Sequence, residues 1–194
     1  MRIGVLSLQG AVEPHFQKLR DLGVTPVEIK LEKDLSDIQG IILPGGESTT
    51  MLHMLDRNSL YSPLQKFVKE RPSWGVCAGA ILLAEKVSHP SQKSFGALPI
   101  TIERNAFGRQ VDSFISALES DRSDWQGLEG IFIRAPRIRD LGPGVKILLR
   151  WKEEPVLVEH GNTLAGTFHP ELSKGHTLHR YFLDKCSPNG REIS

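Results

Sequence analysis

Cys77 stands between two glycines in the run Trp74-Gly75-Val76-Cys77-Ala78-Gly79-Ala80. Residues 72–84 read as a short strand ending at Val76, a turn at Cys77 and a helix running on from Ala78. Glycine two residues before and two after the turn residue is the spacing of a nucleophile elbow, with cysteine in place of serine. The reason is steric. A nucleophile on a sharp strand-to-helix turn has close backbone neighbours on both sides, and glycine lets them approach. The turn also brings the sulfur near the first N–H groups of the helix, whose partial positive charge favours thiolate over thiol. A buried, unreactive cysteine in a βα unit would show the same local residues, so the reading depends on what the rest of the chain supplies.

Two further groups supply it. His169-Pro170-Glu171 follows an apolar strand-like run. Side chains two apart in an extended segment point the same way, and Pro170 should end the strand. His169 and Glu171 can then face one pocket, with the carboxylate orienting the imidazole. Cysteine, histidine and acid together follow triad logic: thiolate nucleophile, base turned acid, and a group that fixes the tautomer. Alone, His-x-Glu is weak evidence and reads more readily as a surface histidine beside a capping acid. The second group is Pro44-Gly45-Gly46-Glu47-Ser48. Its glycines can aim a backbone N–H into the site, which with the N–H of Ala78 would make an oxyanion hole. The bland alternative is a glycine-rich turn capped by Ser48 or Thr49, with Glu47 merely solvated. The Gly-Lys-Ser/Thr of a phosphate loop is absent.

These residues need elements to position them. Residues 3–8, 24–31 and 40–43 read as strands, with a helical pattern through Val12, Phe16 and Leu19. A helix is expected to begin near 44–50, and Leu60, Leu64, Phe67 and Val68 mark another. Strands alternating with helices indicate a parallel, doubly wound sheet, in which ligands bind beyond the C-terminal strand ends. Gln9-Gly10, Gly45-Gly46 and Cys77 all fall at such ends. The second half reads as strands over 98–103, 113–118, 130–133, 145–150 and 156–160, a hairpin turn at Gly161-Asn162 into 163–168, and a closing helix over 177–185. Residues 88–94 are the candidate mobile loop, and the polar tail from Ser187 is expected to fray. The expectation is one α/β domain over residues 1–194, a flavodoxin-like layered sheet with an added antiparallel section.

Bulk properties narrow the function. At 194 residues the chain suits one sizeable domain. A net charge of +1 gives no reason to expect nucleic acid or an anionic membrane surface. No apolar run approaches the roughly 20 residues of a membrane span. The opening residues enter a strand directly, without the pattern of a signal peptide. Two cysteines make a poor disulfide framework, so a cytoplasmic location is expected. The seven histidines lack metal-ligand spacing with cysteine or acid pairs, so no metal is expected.

Gly-x-Cys-x-Gly with a late His-Pro-Glu resembles class I glutamine amidotransferase domains. More narrowly, the chain resembles the glutaminase subunits of pyridoxal 5′-phosphate synthase. The matching stretches are Leu8-Gln9-Gly10-Ala11-Val12, residues 43–50, 75–79, Arg104-Asn105-Ala106-Phe107-Gly108-Arg109-Gln110-Val111-Asp112-Ser113-Phe114, Phe132-Ile133-Arg134-Ala135-Pro136 and 167–172. They span nearly the whole chain in the family's order, and the run over 104–114 is the most family-specific. The resemblance implies Cys77 as nucleophile, His169 as base and Glu171 as its orienter. It implies glutamine contacts from Gly46, Glu47, Ser48, Arg104, Ile133 and Arg134, and an oxyanion hole from Gly46 and Ala78. An arginine fork suits the α-carboxylate of glutamine. For Arg104, Arg134 and Asp112 the alternative is surface solvation or a salt bridge. The implied reaction is hydrolysis of L-glutamine to L-glutamate and ammonia. The ammonia would pass to a synthase subunit that builds pyridoxal 5′-phosphate from a pentose phosphate and a triose phosphate. Val76, Ala80 and the stretch 174–176 depart from the family's pattern, and none is a triad member. Two other readings fit the elbow: a γ-glutamyl hydrolase without ammonia channelling, and a regulatory module with a vestigial site.

Overall fold

Strands and helices alternate through the first half of the chain in the computed structural model, which describes residues 1–104 and 113–187. In order they are β1 (Arg2–Leu6), α1 (Val12–Asp21), β2 (Thr25–Ile29), β3 (Gly40–Leu43), α2 (Ser48–Arg57), α3 (Tyr61–Glu70), β4 (Ser73–Val76) and α4 (Ala78–Leu83). The second half holds β5 (Ala84–Ser88), β6 (Leu98–Glu103), β7 (Phe114–Ala117), β8 (Glu129–Phe132) and β9 (Arg137–Leu141). It closes with β10 (Lys146–Trp151), β11 (Glu154–His160), β12 (Thr163–Gly166) and α5 (Thr177–Cys186).

The main sheet has seven strands in the order β10-β11-β12-β4-β3-β1-β2. From β12 to β2 every pairing is parallel, and β10 and β11 add an antiparallel edge. The order 2-1-3-4 is that of the flavodoxin-like doubly wound sheet, with β12 in the fifth place. The expected architecture is therefore the one the chain forms. Strands β3, β4 and β12 are buried along their whole length, as parallel strands covered on both faces must be. Alternate residues divide between two cores. Val5, Ile42 and Trp74 pack with Phe16 and Leu19 of α1 and with Phe182 and Leu183 of α5. Leu6, Ile41 and Leu43 pack with Met51, Leu55, Leu64 and Val68 of α2 and α3.

Two strands lie where the sequence places none. β5 follows α4 without a break and pairs parallel with β6, and β9 pairs antiparallel with the other side of β6. In β9, Arg-Ile-Arg-Asp-Leu buries Ile138 alone, so its pairing comes from the partner strand and not from its own pattern. The run 163–168 stops being strand at Gly166. Residues 89–94 form irregular chain after β5, tied to the helices at several points. Tyr61 Oη donates to Ser94 O at 2.7 Å, Ser48 Oγ donates to Gln92 Oε1 at 3.0 Å, and the Lys93 ammonium lies 3.4 Å from the Tyr61 ring centre. Most of the run 104–114, residues 105–112, and the tail beyond Ser187 lie outside the described residues.

The elbow is a place where three backbones touch. A Cβ on Gly79 would stand 1.9 Å from Leu43 O, and one on Gly75 would stand 2.5 Å from Gly79 C and O. Gly79→Ala must therefore push α4 away from β3, at a cost of about 1–3 kcal/mol, as overpacking does. Gly175→Ala, where a Cβ meets nothing within 4 Å, should stay within about 0.5 kcal/mol of wild type. Urea unfolding of the two variants reads the difference as a lowered midpoint for the first alone.

Candidate active site

Strands β12, β4, β3 and β1 are neighbours in the sheet, so the loops leaving their C-terminal ends meet in one crevice. Cys77 leaves β4 with φ 50° and ψ −104°. A residue with a Cβ is strained there by about 1–3 kcal/mol. The strain is held by pairing on both sides: Cys77 N–H donates to Gly166 O at 2.8 Å, and Ile81 N–H donates to Cys77 O at 3.2 Å. The sulfur is almost fully buried and lies 4.0 Å from Ile133 O. Ala78 opens α4, so its N–H is among those with no carbonyl of its own helix to bond.

The register of β4 with β12 sets Val76 opposite Gly166. His169, three residues beyond Gly166, is thereby brought to Cys77, which follows Val76. Its N–H is anchored on Ile131 O at 2.8 Å. Its Nδ1 lies 2.7 Å from Glu171 Oε1. That leaves Nε2 for the sulfur, whose interaction with the ring raises the imidazole pKa. The two residues do not share an extended segment, as the spacing suggests. Pro170–Leu172 is a 3-10 turn, and that turn folds the carboxylate back onto the ring. A Cβ on Gly45 would lie 2.4 Å from His169 Cε1, so glycine at this position is what leaves room for the ring. Burial lowers the imidazole pKa, but hydrogen bonds with Cys77 and Glu171 and their charges outweigh it, raising it from 6.5 to about 10. The ring is an imidazolium at neutral pH, facing sulfur on one side and carboxylate on the other.

The Gly45-Gly46 turn is strapped to the loop after β1. Ala11 N–H donates to Gly45 O at 3.0 Å, and Glu47 N–H donates to Gln9 Oε1 at 2.9 Å. The cap of α2 is Glu47, not Ser48 or Thr49. Its carboxylate accepts from Thr49 N–H at 3.2 Å and Thr50 N–H at 2.6 Å. Ser48 is buried and engages Gln92. Arg104, at the end of β6, reaches across to Glu47 Oε1 at 3.3 Å and Thr49 Oγ1 at 3.1 Å. The salt-bridge alternative for Arg104 is thus realised, and it joins two of the residues implied as glutamine contacts. Arg134 is exposed with φ 44°, directly after Ile133. Asp112 lies outside the described residues. So Cys77, Ala78, His169, Glu171 and Ile133 are gathered at one point, Gly45 touches His169, and Gly46, Glu47, Ser48 and Arg104 flank that point.

Sequence reasoning passed over two histidines behind Glu171. His15 on α1 is fully buried, with Nε2 3.7 Å from Glu171 Oε2 and Nδ1 3.1 Å from His179 Nε2. Burial lowers the His15 pKa to about 4, only partly opposed by the Glu171 charge, and holds His179 well below 6.5. Both are neutral at pH 7. The signal was present: His15 lies on the buried stripe of Val12, Phe16 and Leu19, and His179 on that of Phe182, Leu183 and Cys186, where a polar ring needs a partner. Among the described residues no group of three or more His, Cys, Asp or Glu could hold a metal ion.

A doubly wound sheet with this antiparallel edge and a cysteine elbow is the architecture of the glutamine amidotransferases. A solved crystal structure of a glutamine amidotransferase matches with a TM-score of 0.88 and 42% identity over 95% of this chain and 98% of that one. PurLQS from Thermotoga maritima shares the fold alone, with a TM-score of 0.70 at 18% identity over 96% of this chain and 99% of that one. The model of the SNO glutamine amidotransferase family matches residues 5–188, and the chain belongs to that family. Its relatives include proteins named pyridoxal 5′-phosphate synthase subunit PdxT. The one from Koribacter versatilis is 46% identical over 190 residues, covering 98% of this chain and 97% of its own. The one from Thermotoga petrophila is 46% identical over 185 residues, covering 95% and 98%.

The raised His169 pKa has a stability consequence. The group binds its proton more tightly folded than unfolded, so its contribution is fully present below about pH 6.5 and lost as pH rises through about 10. The stability difference between wild type and His169→Asn, measured by urea unfolding, should shrink across that window. A difference that stays constant would show that His169 is neutral at pH 7.

Proposed function

We propose that this chain is the glutaminase subunit of a cytoplasmic pyridoxal 5′-phosphate synthase. It hydrolyses L-glutamine to L-glutamate and ammonia through Cys77, His169 and Glu171, and hands the ammonia to a synthase subunit. The observation that carries the reading is the buried His169–Glu171 pair that the β4–β12 register brings to the Cys77 elbow, in a chain of a glutamine amidotransferase family. In the reaction, the Cys77 thiolate attacks the side-chain amide carbon. The N–H groups of Gly46 and Ala78 take the charge that develops on oxygen. The intermediate collapses, His169 gives its proton to the leaving ammonia, and a γ-glutamyl thioester remains. His169, now neutral, accepts a proton from water as water attacks the thioester. Glutamate leaves, and thiolate and imidazolium are restored. Arg104 and Arg134 suit the glutamine α-carboxylate, while Glu47 and Ser48 with the Ile133 carbonyl suit its α-ammonium and amide. None of these steps calls for a cofactor on this chain.

Cys77→Ala should abolish ammonia release with the fold intact. Cys77 should also be alkylated by a glutamine-like electrophile before Cys186, whose thiol burial pushes up to about 12. Equal labelling of the two cysteines would sink the assignment. His169→Asn should lower kcat by about 10²–10⁴-fold, the usual worth of general acid–base help. Glu171→Gln, which keeps the shape and loses the charge, should cost less; a silent Glu171→Gln would make the residue a cap.

Ammonia released to bulk water is wasted, so the free chain should idle until the synthase docks. The Gly45-Gly46 turn is the proposed switch, because its hydrogen bonds to Gln9 and Ala11 link it to a neighbouring surface loop. One missing oxyanion donor is worth about 10²–10³-fold, and kcat at saturating glutamine should rise by that order on adding the synthase subunit. Equal kcat for free chain and complex would reject the switch and leave the glutaminase reading standing.

A further inference from the structure

Glu171 uses one oxygen on His169; the other, Oε2, is buried without a hydrogen-bond partner. The same holds for His15 Nε2, and the two face each other at 3.7 Å. Neither side chain has any exposed surface. Two unsatisfied buried groups of complementary kind, this near one another, close into a hydrogen bond with a shift of about half an ångström. We propose that His15 is a positioning residue, donating from Nε2 to Glu171 Oε2 and fixing the carboxylate against His169, with His179 behind it.

The contacts determine the tautomers. A ring that donates from Nε2 while neutral must accept at Nδ1, so His179 Nε2 donates to His15 Nδ1 across 3.1 Å. The line then runs His179 to His15 to Glu171, with His169 donating to Glu171 from the other side. Burial keeps both outer rings neutral, so one negative and one positive charge face each other in the interior. Trp74 packs edge-on against both rings and limits their rotation. Lys18, one turn further along α1, donates from Nζ to Gly175 O at 2.9 Å and so ties the helix to the chain after the turn that bears Glu171.

The inference rests on the glutaminase reading, and its tests separate from it. In the complex with the synthase subunit, His15→Asn keeps an amide toward His179 and removes the donor toward Glu171. Its kcat should fall about 10–100-fold with KM for glutamine unchanged, the scale of a misplacement behind a catalytic group. His15→Gln, whose amide sits where Nε2 was, should recover most of the loss. In a Glu171→Ala background, His15→Asn should change kcat less than twofold, since nothing is left to hold. A His15→Asn kcat within twofold of wild type overturns the proposal. So does an equal loss in the Glu171→Ala background, which marks a packing role. Nitrogen-15 NMR of histidine-labelled wild-type chain needs no variant to fold and no turnover. It should show His15 neutral with its proton on Nε2, and a proton on Nδ1 overturns the proposal. Wild-type complex that releases no ammonia from glutamine fails the glutaminase reading and leaves the NMR test of the tautomer in force.

Discussion

Glu171 carries a carboxylate into a place where its side chain meets no solvent. Burying such a charge alone costs several kcal/mol, and the cost is offset only by a close opposite charge with good geometry. His169 at 2.7 Å supplies it, and the imidazole pKa, which burial lowers, is raised by Cys77 and by Glu171 together. The nucleophile role proposed for Cys77 thus depends on a ring that one buried acid holds in place. What sets the acid's place also sets the ring's: the end of β12 at Gly166, the 3-10 turn after it, and the space beside His169 that Gly45 leaves open.

One helix touches this arrangement at both ends. The loop leading into α1 holds the Gly45-Gly46 turn through Gln9 and Ala11. The buried face of α1 carries His15 to Glu171 and Lys18 to the chain beyond it. The turn proposed to bind developing charge and the acid proposed to orient the base are therefore both tied to one rigid element, which is how a site keeps its geometry when it is assembled from four loops. A change at the start of α1 reaches both through contacts already made.

Local residue chemistry made much of this legible. Gly75 and Gly79 announced the elbow because two backbones cannot pass so close with a Cβ between them, whatever surrounds them. The apolar runs of β1, β3 and β4 announced a parallel sheet because strands covered on both faces need continuous burial. β9 was not legible: its own residues bury almost nothing, and it is a strand because β6 offers an unpaired edge. Glu47 as the cap of α2 was hidden for a related reason, since Ser48 and Thr49 are better caps by type and only the path of the chain puts the carboxylate over Thr49 and Thr50.

The sequence by itself determined the kinds of group available and the short-range order in which they come: cysteine on an elbow, a glycine pair, a histidine two before an acid. These are set by neighbours within a few residues, where sterics and dihedral preferences act. Which groups meet was decided by the tertiary structure alone. Cys77 and His169 lie 92 residues apart in the chain and are brought together by the register of two parallel strands. Glu47 and Arg104 are joined, and His15 is set behind Glu171, through elements that do not touch in sequence. A charge or a hydrogen bond acts through a few ångströms of space, and only packing sets which residues share them.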